Sequence, residues 1–121
     1  MNIHTTVWGL GNPLLKDDGA GLEVIRLLQE ASPKGFSLRS CELAPGNYLG
    51  TLAREQPQTF ILVDASDMGL PPGCTATVIA IQPESTDFFI GLSEPAANAA
   101  KQVAALIAAG STDSIELLED A

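Results

Sequence analysis

At 121 residues the chain has room for one domain and hardly for two, and a hydrophobic content of 45% makes a globular core the default. Fifteen acidic residues against six basic ones give a formal net charge of −9. That balance excludes nucleic acid and an acidic membrane surface as expected partners, since both require a basic footprint.

The two cysteines, Cys41 and Cys74, form neither a CxxC pair nor a zinc spacing. Ordinary thiols in a reducing, cytoplasmic setting are the expectation. No basic start followed by a long apolar run marks a signal peptide, and no apolar run is long enough to cross a bilayer, so no membrane insertion is expected.

Residues 4–10, within "HTTVWGLG", are β-branched and apolar and predict a first strand. "GLGNPLLKDDGAG" follows, with four glycines, an Asn-Pro pair and two adjacent aspartates. Residues 19–31 carry Leu22, Ile25 and Leu28 at helical spacing, with Glu23, Arg26 and Glu30 between them. Residues 36–43 predict a second strand and residues 47–55 a short helix. "QTFILVDAS", residues 58–66, is a continuous apolar run, as expected of a strand buried on both faces of a parallel sheet. Residues 74–83 are a further strand candidate, stopped by Pro83. Residues 96–109 form an Ala-rich helix closed by Gly110, and residues 111–121 an acidic, loose tail. The alternation predicts one α/β domain over residues 1–121: a three-layer, mostly parallel open sheet with helices on both faces.

In such a sheet, ligands bind beyond the carboxyl ends of the strands. The loop holding Asp17 and Asp18 leaves the first strand there, and Asp64 ends the most apolar strand. Either aspartate of the pair also suits a plain helix cap. Asp64 equally suits a turn residue bonded to nearby backbone. A phosphate loop is a poor match. No GK[ST] follows, the glycine spacing is not that of a dinucleotide fingerprint, and Lys16 is the one cation beside two acids.

"GLGNPLLKDDGAG" and "ILVDASDMGLPPG", supported by "IAIQPESTDFFIGLSEPAANAAKQVAALI", resemble the hydrogenase maturation endopeptidases of the HycI type. The resemblance implies a phosphorylase/hydrolase-like fold and an aspartic-type hydrolase. Its implied activity is removal of the C-terminal peptide from a [NiFe]-hydrogenase large-subunit precursor after nickel insertion. It also implies that nickel is carried by the precursor rather than stably held by this chain. The family's metal-contacting and catalytic carboxylates map onto Asp18 and Asp64, while Asp17 has no ligand role. A metal beside the scissile peptide serves either to polarise its carbonyl or to activate water. Peptidyl-tRNA hydrolases share the opening GLGNP, but "LLKDDGAG" departs from their pattern and −9 is an awkward charge for tRNA.

One departure stands out. The family's third metal contact is a His in a THxxPL-like stretch, and here only "CTATV" stands between "DMGLPPG" and "IAIQP". The one histidine, His4, belongs to the opposite end of the first strand, about 20 Å away at roughly 3.3 Å per residue. Glu42, Asp67, Cys41 and Cys74 are substitute ligands with little to support them. The alternative function is therefore a family member that binds the precursor without cleaving it. A shortened chain is also expected to leave apolar surface exposed on one sheet face, or to have it covered by the Ala-rich closing helix or by another subunit.

Overall fold

The computed structural model describes residues 5–67, 72 and 79–110. Four strands form one parallel sheet in the order β2-β1-β3-β4: β1 is Thr5–Leu10, β2 Phe36–Glu42, β3 Thr59–Ala65 and β4 Ala80–Ile81. The α/β open sheet read from the sequence is the fold of the chain. His4, Cys74, most of the predicted strand over 74–83 and the acidic tail lie outside the described residues.

Helix α1, Ala20–Ala31, and helix α3, Glu94–Ala108, pack together on one face of the sheet. Their apolar sides meet Val7, Ile61, Val63, Ile79 and Ile81 in a single buried cluster. Helix α1 lies close to the sheet because Gly9 and Gly21 face each other. A Cβ on Gly21 would stand 2.3 Å from the Val63 carbonyl oxygen, and one on Gly9 would stand 2.3 Å from that of Gly21. The other face is covered by α2, Leu49–Glu55, after a 3₁₀ turn over Pro45–Tyr48. Thr6 Oγ1 and Ser37 Oγ both donate to the Glu55 carboxylate, at 2.9 and 2.8 Å, tying α2 to β1 and β2. Trp8 packs edge-on against Phe60 and Tyr48 on this side. Cover there is thin: Phe60 is 43% and Leu49 60% exposed.

Helix α3 begins two residues before the predicted start. Ser93 is its N-cap, with Pro95 in the first turn, a pairing that stabilises a helix start because the proline has no N–H to leave unpaired. Gly110, at φ 72°, ends the helix as predicted, donating to the Ile107 carbonyl. No helix among the described residues is long and apolar enough to cross a membrane.

Candidate functional site

The strand order reverses between β1 and β3. The first crossover runs outward from β1 to β2, and the next returns past β1 to β3. The loops leaving the carboxyl ends of β1 and β3 diverge there, which opens a crevice in a parallel sheet. Asp18 belongs to the loop after β1, and Asp64 is the penultimate residue of β3. The predicted pair therefore meets at one rim.

The β1 loop is held from several sides. Gly11 has φ 139°, a value that L side chains rarely adopt, and a Cβ there would lie 1.8 Å from the Asp18 carbonyl oxygen. The Gly11 N–H donates to the Glu42 carbonyl at 2.9 Å, and the Asn12 N–H donates to Asp18 Oδ2 at 2.8 Å. A 3₁₀ turn over Lys16–Gly19 then leads into α1. Neither aspartate caps that helix: its N-cap is Gly19, with no side-chain bond. The plain-cap reading of the pair is thus corrected.

Asp17 is fully buried and anchors the loop. Its carboxylate accepts from the Ser93 N–H and hydroxyl, both at 2.6 Å, from the Glu84 N–H at 2.7 Å and from the Ser85 N–H at 3.2 Å. Burial pushes this carboxyl up, but the four donors outweigh it and hold the group below the ordinary range. Sequence reasoning missed this role, along with Ser93. The donors come from 67 to 76 positions away, so no local pattern announces them.

Asp64 behaves in the opposite sense. Burial raises its carboxyl above the ordinary range, a bond from the Ala65 N–H at 2.8 Å offsets part of the rise, and the negative charge of Asp18 adds to it. Asp64 bonds nearby backbone, as the turn-residue reading expects, but it does so from within β3 rather than from a turn. The influence of Asp18 places the two carboxylates within electrostatic reach of each other. A cleft of about 450 Å³ opens beside Asp18, lined also by Ala65, Asp67, Gln82, Glu84 and Ser85. Asp67 thus does reach the site. Glu42 contributes its backbone carbonyl to the loop, and its side chain is exposed. Cys41 is buried in β2, and burial, partly offset by Arg39, pushes its thiol up, so it is poorly suited to act as a thiolate ligand. Among the described residues no three His, Cys, Asp or Glu side chains gather in a metal-holding group.

No family model matches the sequence. The hydrogenase 3 maturation protease of Escherichia coli K12 is 40% identical over 68 residues, covering 53% of this chain and 41% of that protein. The solution structure of the endopeptidase HycI from Escherichia coli superposes with a TM-score of 0.82 at 19% identity, over 98% of this chain and 100% of that one. A [NiFe] hydrogenase maturation protease HycI from Thermococcus kodakarensis KOD1 gives 0.79 at 23% identity, over 89% and 92%. Over the matched segment the chain is similar to hydrogenase maturation proteases. The structural likeness carries the fold. The matched segment spans about two fifths of the length of the curated hydrogenase maturation proteases.

Proposed function

We propose that this chain is an endopeptidase that removes the C-terminal peptide of a [NiFe]-hydrogenase large-subunit precursor after nickel insertion. The observation that carries the reading is the meeting of Asp18 and Asp64 at the strand-order reversal, with one carboxyl raised in part by the other. Two carboxylates that repel each other gain from a cation placed between them. A pair is also what a metal carried by the substrate needs, because that metal keeps other ligands from its own polypeptide. Nickel(II) accepts such oxygen donors. In this reading the precursor's nickel is the recognition element, and Asp18 and Asp64 hold it at the rim. The Asn12 N–H fixes the Asp18 carboxylate, and the Ala65 N–H fixes that of Asp64. The scissile peptide lies in the cleft beside Asp18, and Asp64, whose carboxyl is raised by burial, sits next to the cleft-lining Ala65 as the candidate for proton exchange. The reaction is assigned to the cytoplasm.

The test is incubation with nickel-loaded and nickel-free precursor, followed by intact mass. Shortening of the loaded form alone, lost in Asp18→Asn and Asp64→Asn, is expected. No shortening at any enzyme ratio removes the reading, and cleavage by Asp18→Asn at the normal rate removes the site assignment.

A second reading is binding of the precursor without cleavage. It is favoured by one observation, that the sole histidine in the sequence is His4, which precedes β1 in the chain whereas the Asp18 loop follows it. Co-purification with an uncut precursor would select it.

A further inference from the structure

Phe88, Phe89 and Ile90 are consecutive apolar residues that are 80, 59 and 74% exposed. Leu14, 43% exposed, stands in the neighbouring segment. Three large apolar side chains in a row at the surface are costly to keep in water, by about 25 cal/mol for each Å² left uncovered. A loose loop does not account for them. Residues 14–18 and 84–90 lie side by side, joined by the Phe89 N–H to the Leu14 carbonyl at 2.9 Å, the Lys16 N–H to the Phe89 carbonyl at 2.7 Å and the Asp17 N–H to the Ser85 carbonyl at 2.9 Å. The backbone is therefore held so as to present these side chains.

The same two segments run into the cleft. Residues 14–18 end at Asp18, and residues 84–90 begin at Glu84, both of which line it. The surface is thus an apolar shelf at one end and an acidic cleft at the other, with exposed Asp87 between. Lys16 lies over the Phe89 ring, 5.6 Å from its centre, so the one cation of the loop is turned to the shelf rather than the cleft.

We propose that this shelf docks a segment of the precursor's own polypeptide, carrying apolar side chains flanked by a lysine or arginine. Its apolar part covers Leu14 and Phe88–Ile90, and its positive charge meets the acids of the cleft. Continuity with the cleft and charge complementarity choose this occupant. The inference rests on the reading of the Asp18–Asp64 rim as a precursor-processing site.

The test uses the double variant Phe88→Ser/Ile90→Ser, whose changes are exposed and are expected to leave the melting temperature unchanged; Leu14→Ser is an independent second variant. Binding of nickel-loaded precursor is measured by analytical ultracentrifugation, and binding of a short fluorescein-labelled Leu/Arg peptide by polarisation. The expected result is a weakening of both by about tenfold or more in the double variant, a smaller weakening in Leu14→Ser, and no binding of the matched Leu/Glu peptide. In the cleavage assay KM rises and kcat is kept. Unchanged binding of precursor in both variants overturns the proposal. So does self-association of the wild-type chain that the double variant abolishes, which would make a second copy the occupant. Cleavage with an unchanged KM in the double variant removes the shelf and leaves the endopeptidase reading. Patch-dependent binding with no cleavage by the wild type removes that reading and leaves the shelf.

Discussion

Asp17 and Ser93 stand 76 positions apart and are joined twice, since both the N–H and the hydroxyl of Ser93 donate to the Asp17 carboxylate at 2.6 Å. The hydroxyl also accepts from the Ala96 N–H at the start of α3. One serine therefore caps a helix and fastens the Asp18 loop to it.

Replacing Asp17 by Asn should be costly. Four donors converge on two oxygens, and an amide offers one oxygen and turns N–H groups toward donors. A loss of about 3 kcal/mol is expected, read as a shift in the urea midpoint.

The pH dependence follows from the direction of the shift. The Asp17 carboxyl lies below its ordinary value in the folded chain. Its contribution is complete above the unfolded-state value, about 3.9, and is lost as pH falls from there through the folded value. Denaturant midpoints measured across that acid range should fall more steeply for the wild type than for Asp17→Asn.

Gly11→Ala should disturb the site directly. The added Cβ meets the Asp18 carbonyl at an impossible distance, at a φ that alanine rarely adopts. A destabilisation of about 2–3 kcal/mol is expected. Chemical-shift changes should extend from Asn12 through Asp18, and unperturbed Asp18 shifts would refute the assigned role of Gly11.

The Asp64 carboxyl should titrate above the ordinary range in carbon-detected NMR. Asp18→Asn should lower that value, because one of the causes of the rise is removed. An unmoved Asp64 titration in Asp18→Asn would mean that the two carboxylates do not sense each other.

Asp64→Asn should stabilise the fold at neutral pH while ending cleavage. A carboxyl raised in the folded state binds its proton more tightly there than when unfolded. Stability is therefore greatest below the unfolded value and declines as pH rises through the folded one. An amide removes that decline and keeps an oxygen for the Ala65 N–H. The gain is a fraction of a kcal/mol, at most about 1, visible as a slightly raised melting temperature at pH 7 and none at pH 3.

The strands and main helices were legible because their signals are local. The run "QTFILVDAS" reads as a strand buried on both faces; it is β3, but only its Ile61 and Val63 side is buried, and Phe60 on the other side is 43% exposed. The convergence of Asp18 and Asp64 followed from parallel strands sharing one carboxyl rim. The start of α3 was placed late, although Ser93 and Pro95 form a visible cap signature. Asp17 was the harder case. An aspartate three residues before a helix looks like a cap, and only the folded chain shows that its partners lie beyond residue 83. The exposure of Phe88–Ile90 was equally hidden, because three apolar residues in a row read as core until a backbone holds them outward.

The dependence of Asp17 on Glu84, Ser85 and Ser93 also bears on biosynthesis. The aspartate leaves the ribosome early and its donors late, so during translation the carboxylate has only water to solvate it. The loop carrying Asp18 takes its final shape once α3 has emerged and docked, after the long-range closure that slows the folding of such topologies. A nascent chain thus lacks the donors that fix the Asp17–Asp18 loop until α3 has emerged.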